Sequence, residues 1–194
     1  MRSSGFIKIV LAGFGASLLG GCLLSETPIL DAANGRATPI KPGAYIACPL
    51  KDDADASDCD ELIISHDASG LYRFEKADEK PSLFRFRKIA WRGYAVQTTE
   101  DGDDSYMYYY GRRIGKRFRL TMMMCAELPA SLRDALIANG DLASEDDDFE
   151  SCIVNTLEGL TKAAKAYHHG DAVSGVVDGE TMVLELTPAT QASE

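Results

Sequence analysis

The stretch SLFRFR, residues 82–87, decides the fold because large apolar and basic side chains alternate along it. Phe84 and Phe86 fall on one face of an extended chain, and Arg85 and Arg87 fall on the other. A period of two is typical of a strand in an antiparallel sheet that has one face buried. The sequence therefore predicts a half-buried β-strand here.

Six further stretches on either side carry the same strand signal. Short strands that follow one another in this way, separated by turns rich in glycine and aspartate, predict an antiparallel β-meander of about seven strands. The pattern leaves open whether the sheet closes into a barrel. The six stretches are residues 44–48, 62–64, 71–75, 91–99, 106–110 and 116–124.

Beyond the meander, the apolar residues recur at helical spacing. One helix is predicted over residues 131–140 and a second over residues 144–170, the second beginning with acidic and ending with basic side chains. A closing β-hairpin is predicted over residues 173–186, because Asp178-Gly179 is a strong two-residue turn. The expected fold class is α+β, with two helices and a C-terminal hairpin beside the meander.

The start of the chain has the features of an export signal. Lys8 and a basic first segment precede an uncharged run over residues 9–19, which is shorter than the roughly 20 apolar residues of a transmembrane helix. Leu19-Gly20-Gly21-Cys22 then resembles the lipobox of bacterial lipoproteins. The resemblance implies cleavage before Cys22 and acyl chains on that residue, and two or three chains anchor stably. An ordinary cleaved leader and an uncleaved N-terminal anchor are the alternatives.

The resemblance divides the chain into three expected parts. Residues 1–21 are the signal peptide, residues 22–43 are a lipidated tether rich in proline and small residues, and residues 44–194 are a single globular domain. By the sorting rule of enteric bacteria, Leu23 in place of aspartate after the lipidated cysteine implies the outer membrane. The domain would then face the periplasm.

Four cysteines remain once Cys22 is set aside, which is an even number suited to an oxidising compartment. They allow three pairings. We favour Cys48–Cys59 and Cys125–Cys152, because each pair brackets a predicted structural junction. A zinc site is the alternative, but the sequence has no Cys-x-x-Cys pair.

Charge and motif content exclude several functions. The leader carries Arg2 and Lys8, so the rest of the chain has 18 of the 20 basic residues against all 30 acidic ones, a net charge of −12. Such an acidic chain is a poor candidate for nucleic-acid binding. A calcium loop starting at Asp53 lacks the required glycine and glutamate, and none of the three histidines lies in a nucleophile-elbow pattern. A metal site of His168, His169 and Asp171 is an alternative, but adjacent helical residues point about 100° apart, so they form a weak ligand set. We therefore predict no catalytic residue, no metal and no cofactor.

Basic residues concentrate within the meander. The span from residue 73 to residue 119 contains 12 of the 18 basic residues outside the leader. Alternation places Arg85, Arg87, Arg117 and Arg119 on the outer face of their strands, and arginine forks suit carboxylate and phosphate groups. These arginines are candidate anion-binding residues. The alternative is that they only keep the face soluble.

Three tyrosines form a second candidate binding feature. Tyr106, Tyr108 and Tyr110 share one face of a predicted strand. Aromatic platforms stack on sugar rings or on a protein partner. The alternative is that these rings belong to the core of the sheet.

Three functional hypotheses remain. The first is a non-enzymatic, membrane-anchored envelope lipoprotein that binds a protein or an anionic envelope polymer, with the membrane itself held through lipid on Cys22. The second is an inhibitor or immunity-type protein whose acidic loops, residues 52–61 and 145–150, cover a basic secreted enzyme. The third is a hydrolase whose catalytic residues the sequence pattern does not reveal.

Overall fold

A computed structural model gives the fold for residues 21–50, 58–144, 151–172, 176–177, 180–181 and 183–189. These described residues form thirteen β-strands and two α-helices. The strands are β1 (Leu23–Ser25), β2 (Gly43–Pro49), β3 (Asp60–His66), β4 (Tyr72–Glu75), β5 (Ser82–Ala90), β6 (Gly93–Glu100), β7 (Tyr106–Ile114), β8 (Arg117–Met122), β9 (Leu142–Ser144), β10 (Cys152–Val154), β11 (Val176–Val177), β12 (Glu180–Thr181) and β13 (Val183–Pro188). The helices are α1 (Ala130–Ala138) and α2 (Leu157–His169).

Eight antiparallel strands close into a barrel. Strands β2 to β8 follow one another as a meander, and β13 completes the ring by pairing with both β2 and β8. Leu186 of β13 lies opposite Ala47 on one side and Phe118 on the other. The seven predicted meander strands are confirmed. The large sheet nevertheless contains eleven strands among the described residues, because β1, β10 and β9 extend it from β7.

Aromatic side chains fill the barrel. Phe86 is fully buried, and its ring centroid lies 4.9 Å from that of Tyr72 and 5.7 Å from that of Phe118. The interior of an eight-stranded barrel is just wide enough for side chains to fill. The buried interior residues include Tyr45, Leu62, Ile64, Tyr72, Phe74, Phe84, Phe86, Val96, Phe118, Leu120 and Leu186.

Helix α2 forms a second core against the outside of the barrel, where it contacts β5, β6 and β7. It begins where the Thr156 side chain accepts a hydrogen bond of 3.0 Å from the Gly159 N–H, and it ends at Gly170 in the left-handed conformation. Leu160 and Ala164 are buried in the same cluster as Tyr108 of β7. Helix α2 therefore covers part of the outer faces of these three strands.

The second helix is shorter than predicted, because residues Cys152–Val154 form β10. This strand pairs in parallel with β1 and antiparallel with β9. Ile153 and Val154 are β-branched, which favours a strand, and Thr156 caps the helix that follows. The acidic run at residues 145–150 lies outside the described residues.

The segment expected to act as a tether is packed on the barrel from its first residues. Strand β1 pairs with β7 and β10, and both Leu23 and Leu30 are fully buried. The Gln97 side chain accepts a hydrogen bond of 2.7 Å from the Leu30 N–H and donates one of 3.1 Å to the Leu30 carbonyl. Isolated apolar anchors of this kind carry no periodic signal, so the sequence pattern did not predict them.

Both predicted disulfides are present. Cys48–Cys59 joins the end of β2 to the residues before β3, and Cys125–Cys152 joins the segment after β8 to β10. The predicted C-terminal hairpin is found only in part: β11 pairs with β12 within the predicted range, but residues 183–186 of its expected second strand belong to β13, which pairs with β2 and β8. Its turn residues 178–179 lie outside the described residues.

The alternation along β5 predicts that truncating Phe86 costs far more stability than truncating Leu83. Phe86 is fully buried inside the barrel, whereas Leu83 is half-buried on the outer face. Removing a buried phenylalanine costs about 3–5 kcal/mol, so Phe86→Ala should lose that much unfolding free energy in urea and Leu83→Ala a small fraction of it. Equal losses would contradict the assignment of the two faces.

Candidate functional site

Arg85 and Arg87 lie on the outer face of β5, as predicted, and both donate to nearby backbone carbonyls. The Arg85 guanidinium donates to the Ser69 carbonyl at 3.2 Å, and the Arg87 guanidinium donates to the Asn34 carbonyl at 3.2 Å. These contacts hold the β3–β4 turn and the N-terminal segment against the barrel. Both side chains therefore have a structural role in the described fold.

Arg117 and Arg119 lie on the outer face of β8 and share one carboxylate. Arg117 contacts Glu185 at 2.7 Å and Arg119 contacts it at 3.1 Å. Strands β6 and β7, which α2 covers, separate β8 from β5 in the ring. The four arginines therefore form two separate pairs rather than one continuous face.

Tyr106, Tyr108 and Tyr110 share the outer face of β7, but α2 and the N-terminal segment cover most of it. Tyr108 is fully buried and shares a hydrogen bond of 2.6 Å with the Ser25 hydroxyl, and burial raises its pKa to about 12. Tyr110 is buried, and Tyr106 packs half-buried against the same core. The structure places this tyrosine row in the core between the barrel and α2.

Cys22 is buried, with 3 % of its surface exposed, and its Sγ lies 3.2 Å from the Sδ of Met122. Burial, together with the negative charge of Glu127, raises the pKa of the Cys22 thiol to about 11. The neighbouring Leu23 N–H donates to the Met123 carbonyl at 2.9 Å. The cysteine of the lipobox-like motif is therefore integrated with the barrel wall.

A cavity of about 190 Å³ opens at one end of the barrel, which we call the basic mouth. Four cationic side chains line it, and none of the described lining residues is acidic. Sequence analysis identified only Arg117 among these four. The lining residues are Pro39, Ile40, Lys41, Tyr45, Arg113, Lys116, Arg117, Phe118 and Pro188.

The β7–β8 turn presents three of these cations. Ile114 pairs with Arg117, which leaves Gly115 and Lys116 as a two-residue turn. Gly115 has a φ of 61°, the left-handed conformation that such a hairpin turn requires at its first position. The Arg113 Nε donates to the Gly115 carbonyl at 3.3 Å, so the turn itself orients one guanidinium.

The opposite wall of the mouth is the segment before β2. Tyr72, which is fully buried, donates its hydroxyl to the Ile40 carbonyl at 2.7 Å and accepts from the Ile40 N–H at 3.2 Å. The Tyr45 hydroxyl donates to the Lys41 carbonyl at 3.0 Å. Two tyrosines of the barrel interior therefore hold the backbone beside the Lys41 side chain.

Most charges are polarised along the barrel axis, although Asp67 in the β3–β4 turn is an exposed acid at the basic end. The sequence contains no acid between Asp104 and Glu127 or between Asp31 and Asp52, and these stretches form most of the basic mouth. The other end is acidic, and Arg73 and Lys76 there contact Asp101 and Asp60 at 3.3 and 3.0 Å. Acids at that end include Asp60, Glu75, Asp78, Glu79, Glu100, Asp101, Asp103 and Asp104. The acid-free stretches are the sequence signal that would have identified the mouth.

Comparison of the chain with known protein families, curated proteins and solved structures finds no match. In the described part of the chain, neither helix combines the length and apolar character needed to cross a membrane. The same residues contain no group of three or more histidine, cysteine, aspartate or glutamate side chains placed to hold a metal ion. The candidate site therefore rests on the geometry and charge of the basic mouth.

His168 of α2 packs against Gly93 of β6. We expect this histidine to make the free energy of unfolding depend on pH. Its Nδ1 lies 2.8 Å from the Tyr110 hydroxyl, and burial, followed by the charges of His169 and Arg112, holds its pKa below the ordinary 6.5. Between the lowered pKa of the folded state and the ordinary 6.5, the unfolded chain binds more protons at His168 than the folded chain does. The stability that neutral His168 contributes is therefore complete above about pH 7 and is lost as the pH falls through the lowered pKa.

We expect His168→Gln to flatten the dependence of the melting temperature on pH between pH 7.5 and 5. His169→Gln should retain most of the slope, because burial of His168 is the largest cause of its lowered pKa. An unchanged slope in His168→Gln would assign the pH dependence to another group.

Proposed function

We propose that this protein is a non-enzymatic, lipid-anchored envelope protein that binds an anionic envelope component at the basic mouth. The observation that carries the proposal is a cavity surrounded by Lys41, Arg113, Lys116 and Arg117 without an acidic lining residue among those described. A cavity of about 190 Å³ equals roughly six water volumes, which suits a phosphate or carboxylate group. The rest of a larger polymer or lipid would extend outside.

The partners of the four cations support this proposal. Arg113 uses its Nε for the Gly115 carbonyl, and the residue is exposed. Lys41 and Lys116 are exposed. Arg117 is 49 % exposed but already contacts Glu185, whose side chain is only 11 % exposed. An incoming anion therefore meets the least competition at Lys41, Arg113 and Lys116, while Tyr45 and Phe118 lower the local dielectric beneath it.

Reversing two mouth charges should weaken anion binding by at least tenfold. A hydrogen bond to a charged group contributes about 1.5–3 kcal/mol, and about 1.4 kcal/mol is a factor of ten. We therefore expect Arg113→Glu combined with Lys116→Glu to lower the affinity for inorganic pyrophosphate by that factor or more, measured by calorimetry at low salt.

The matched control is Lys80→Glu combined with Lys165→Glu. These two lysines are exposed and lie outside the mouth, and their reversal changes the net charge by the same amount. Similar losses in both variants would assign the binding to overall charge and would refute a site at the mouth.

The proposed anchor is lipid on Cys22, which places the protein on the outer membrane facing the periplasm. Because Cys22 is only 3 % exposed in the fold, acylation must precede packing of Cys22 and Leu23 against Met122 and Met123. Acyl chains on Sγ would also displace the Met122 contact. Cleavage before Cys22 removes Gly21, whose carbonyl accepts a 2.6 Å hydrogen bond from the Cys125 N–H. The mature protein would therefore repack locally around residues 22–24.

Replacing Cys22 should abolish membrane anchoring. We expect the full chain, expressed in a bacterium that processes lipoproteins, to partition into detergent, and Cys22→Ser to remain aqueous or with an unprocessed leader. A double variant, Cys48→Ser with Cys59→Ser, removes other sulfur atoms and should still partition into detergent. Identical partitioning of Cys22→Ser and wild type would refute lipid attachment.

A second candidate function uses the acidic end of the barrel. Asp103 and Asp104 are exposed in the β6–β7 loop, beside the acidic turn between β4 and β5. This surface would suit a basic protein, in keeping with the inhibitor or immunity-type hypothesis. Binding of a basic protein that persists in the mouth variant, but is lost when Asp103 and Asp104 become lysine, would favour this function over the first.

A further inference from the structure

The β5–β6 turn places a tryptophan at the tip of the basic end. β5 ends at Ala90 and β6 begins at Gly93, so Trp91 and Arg92 form the whole turn. Trp91 is 76 % exposed, and the Arg92 guanidinium carbon lies 5.5 Å from the centre of its ring. A large aromatic side chain this exposed, and stacked with a cation, is suited to a surface that the protein meets from outside.

This turn is directly connected to the basic mouth. The Arg113 N–H donates to the Arg92 carbonyl at 3.0 Å, and Gly93 pairs with Arg112 on β7. The sequence also has no acid between Glu79 and Glu100. Trp91 therefore lies beside a group of cations that belongs to one end of the barrel, namely Lys88, Arg92, Arg112, Arg113, Lys116 and Arg117.

Arg92 is also held in an uncommon backbone conformation. Its φ is 57°, in the left-handed region that normally favours glycine or asparagine. The other described non-glycine residue with positive φ is Asp78, a type that tolerates this region. Strained residues of this kind collect at functional sites. Arg92 therefore occupies a turn position at which glycine would have less backbone strain.

We propose that this end of the barrel docks on an anionic bilayer surface, with Trp91 entering the headgroup region and the mouth cations binding lipid phosphates. The inference rests on the proposed anion-binding function and names lipid phosphate as the anion. Tryptophan is enriched at membrane interfaces because its ring is amphipathic. Each basic residue near an anionic membrane surface strengthens binding by about fivefold.

Trp91 is the single tryptophan of the chain, so its fluorescence reports on the proposed contact alone. The protein for the test is residues 21–194 with Cys22→Ser, which keeps every described residue position and removes the effect of any acyl chain. We would titrate it with phosphatidylglycerol vesicles, with phosphatidylcholine vesicles and with soluble glycerol phosphate. A second series would carry brominated acyl chains, which quench a tryptophan that has entered the bilayer.

We expect a blue shift and bromine quenching with phosphatidylglycerol vesicles, and neither effect with phosphatidylcholine. Arg113→Glu combined with Lys116→Glu retains Trp91 and should weaken partitioning by at least roughly 25-fold. Lys80→Glu combined with Lys165→Glu should partition within a few-fold of the parent. Trp91→Ala, measured by vesicle sedimentation, should bind more weakly than the parent.

Three results would overturn the inference. They are equal partitioning into both kinds of vesicle, vesicle binding without a change in Trp91 emission, and vesicle binding that survives charge reversal at the mouth. Binding of soluble pyrophosphate or glycerol phosphate without vesicle binding would also overturn it, but would leave the proposed function intact. Loss of both soluble and vesicle binding would remove the proposed function as well.

Discussion

The pairing of β13 with both β2 and β8 is the constraint on which the rest of the molecule depends. This one strand converts a meander into a closed barrel, and closure removes the two free edges that an open sheet would expose. It also encloses the inward aromatic side chains, including Phe86 and Phe118, on all sides. A closed barrel has two ends, so the turns at each end collect into two separate surfaces, one basic and one acidic.

Much of this fold can be predicted from sequence, because alternation is a local property. The run of Phe84 and Phe86 against Arg85 and Arg87 predicts both a strand and its buried face, and each of the seven meander strands is found close to its predicted place. The two disulfides follow from an even number of cysteines beside predicted junctions. Local pattern was sufficient wherever side chains repeated with the period of the backbone.

The remaining features depend on contacts between distant segments. Glu185 meets Arg117 only because β13 returns to β8, and no local pattern contains that pairing. Leu23 and Leu30 are single anchors without a period, so the segment resembled a flexible tether. The basic mouth unites Lys41 with the β7–β8 turn, which are more than 70 residues apart. Alternation identifies outward arginines, but it does not show which outer faces a helix later covers.

The proposed anchor and the proposed binding site are connected by a strand rather than by a flexible spacer. Ser25, which follows the residues expected to repack, pairs with Tyr106, and Arg113 lies seven positions further along β7, which is roughly 24 Å at the rise of an extended chain. On the proposed anchoring, the mouth therefore stays within a short distance of the membrane that holds Cys22. A second contact made from an anchored position is intramolecular, so it adds to the strength of the anchor where the geometry lets both engage the membrane together. Weak affinity for a membrane-borne anion is then sufficient for occupancy, and a mouth of four partly solvated cations supplies affinity of that kind.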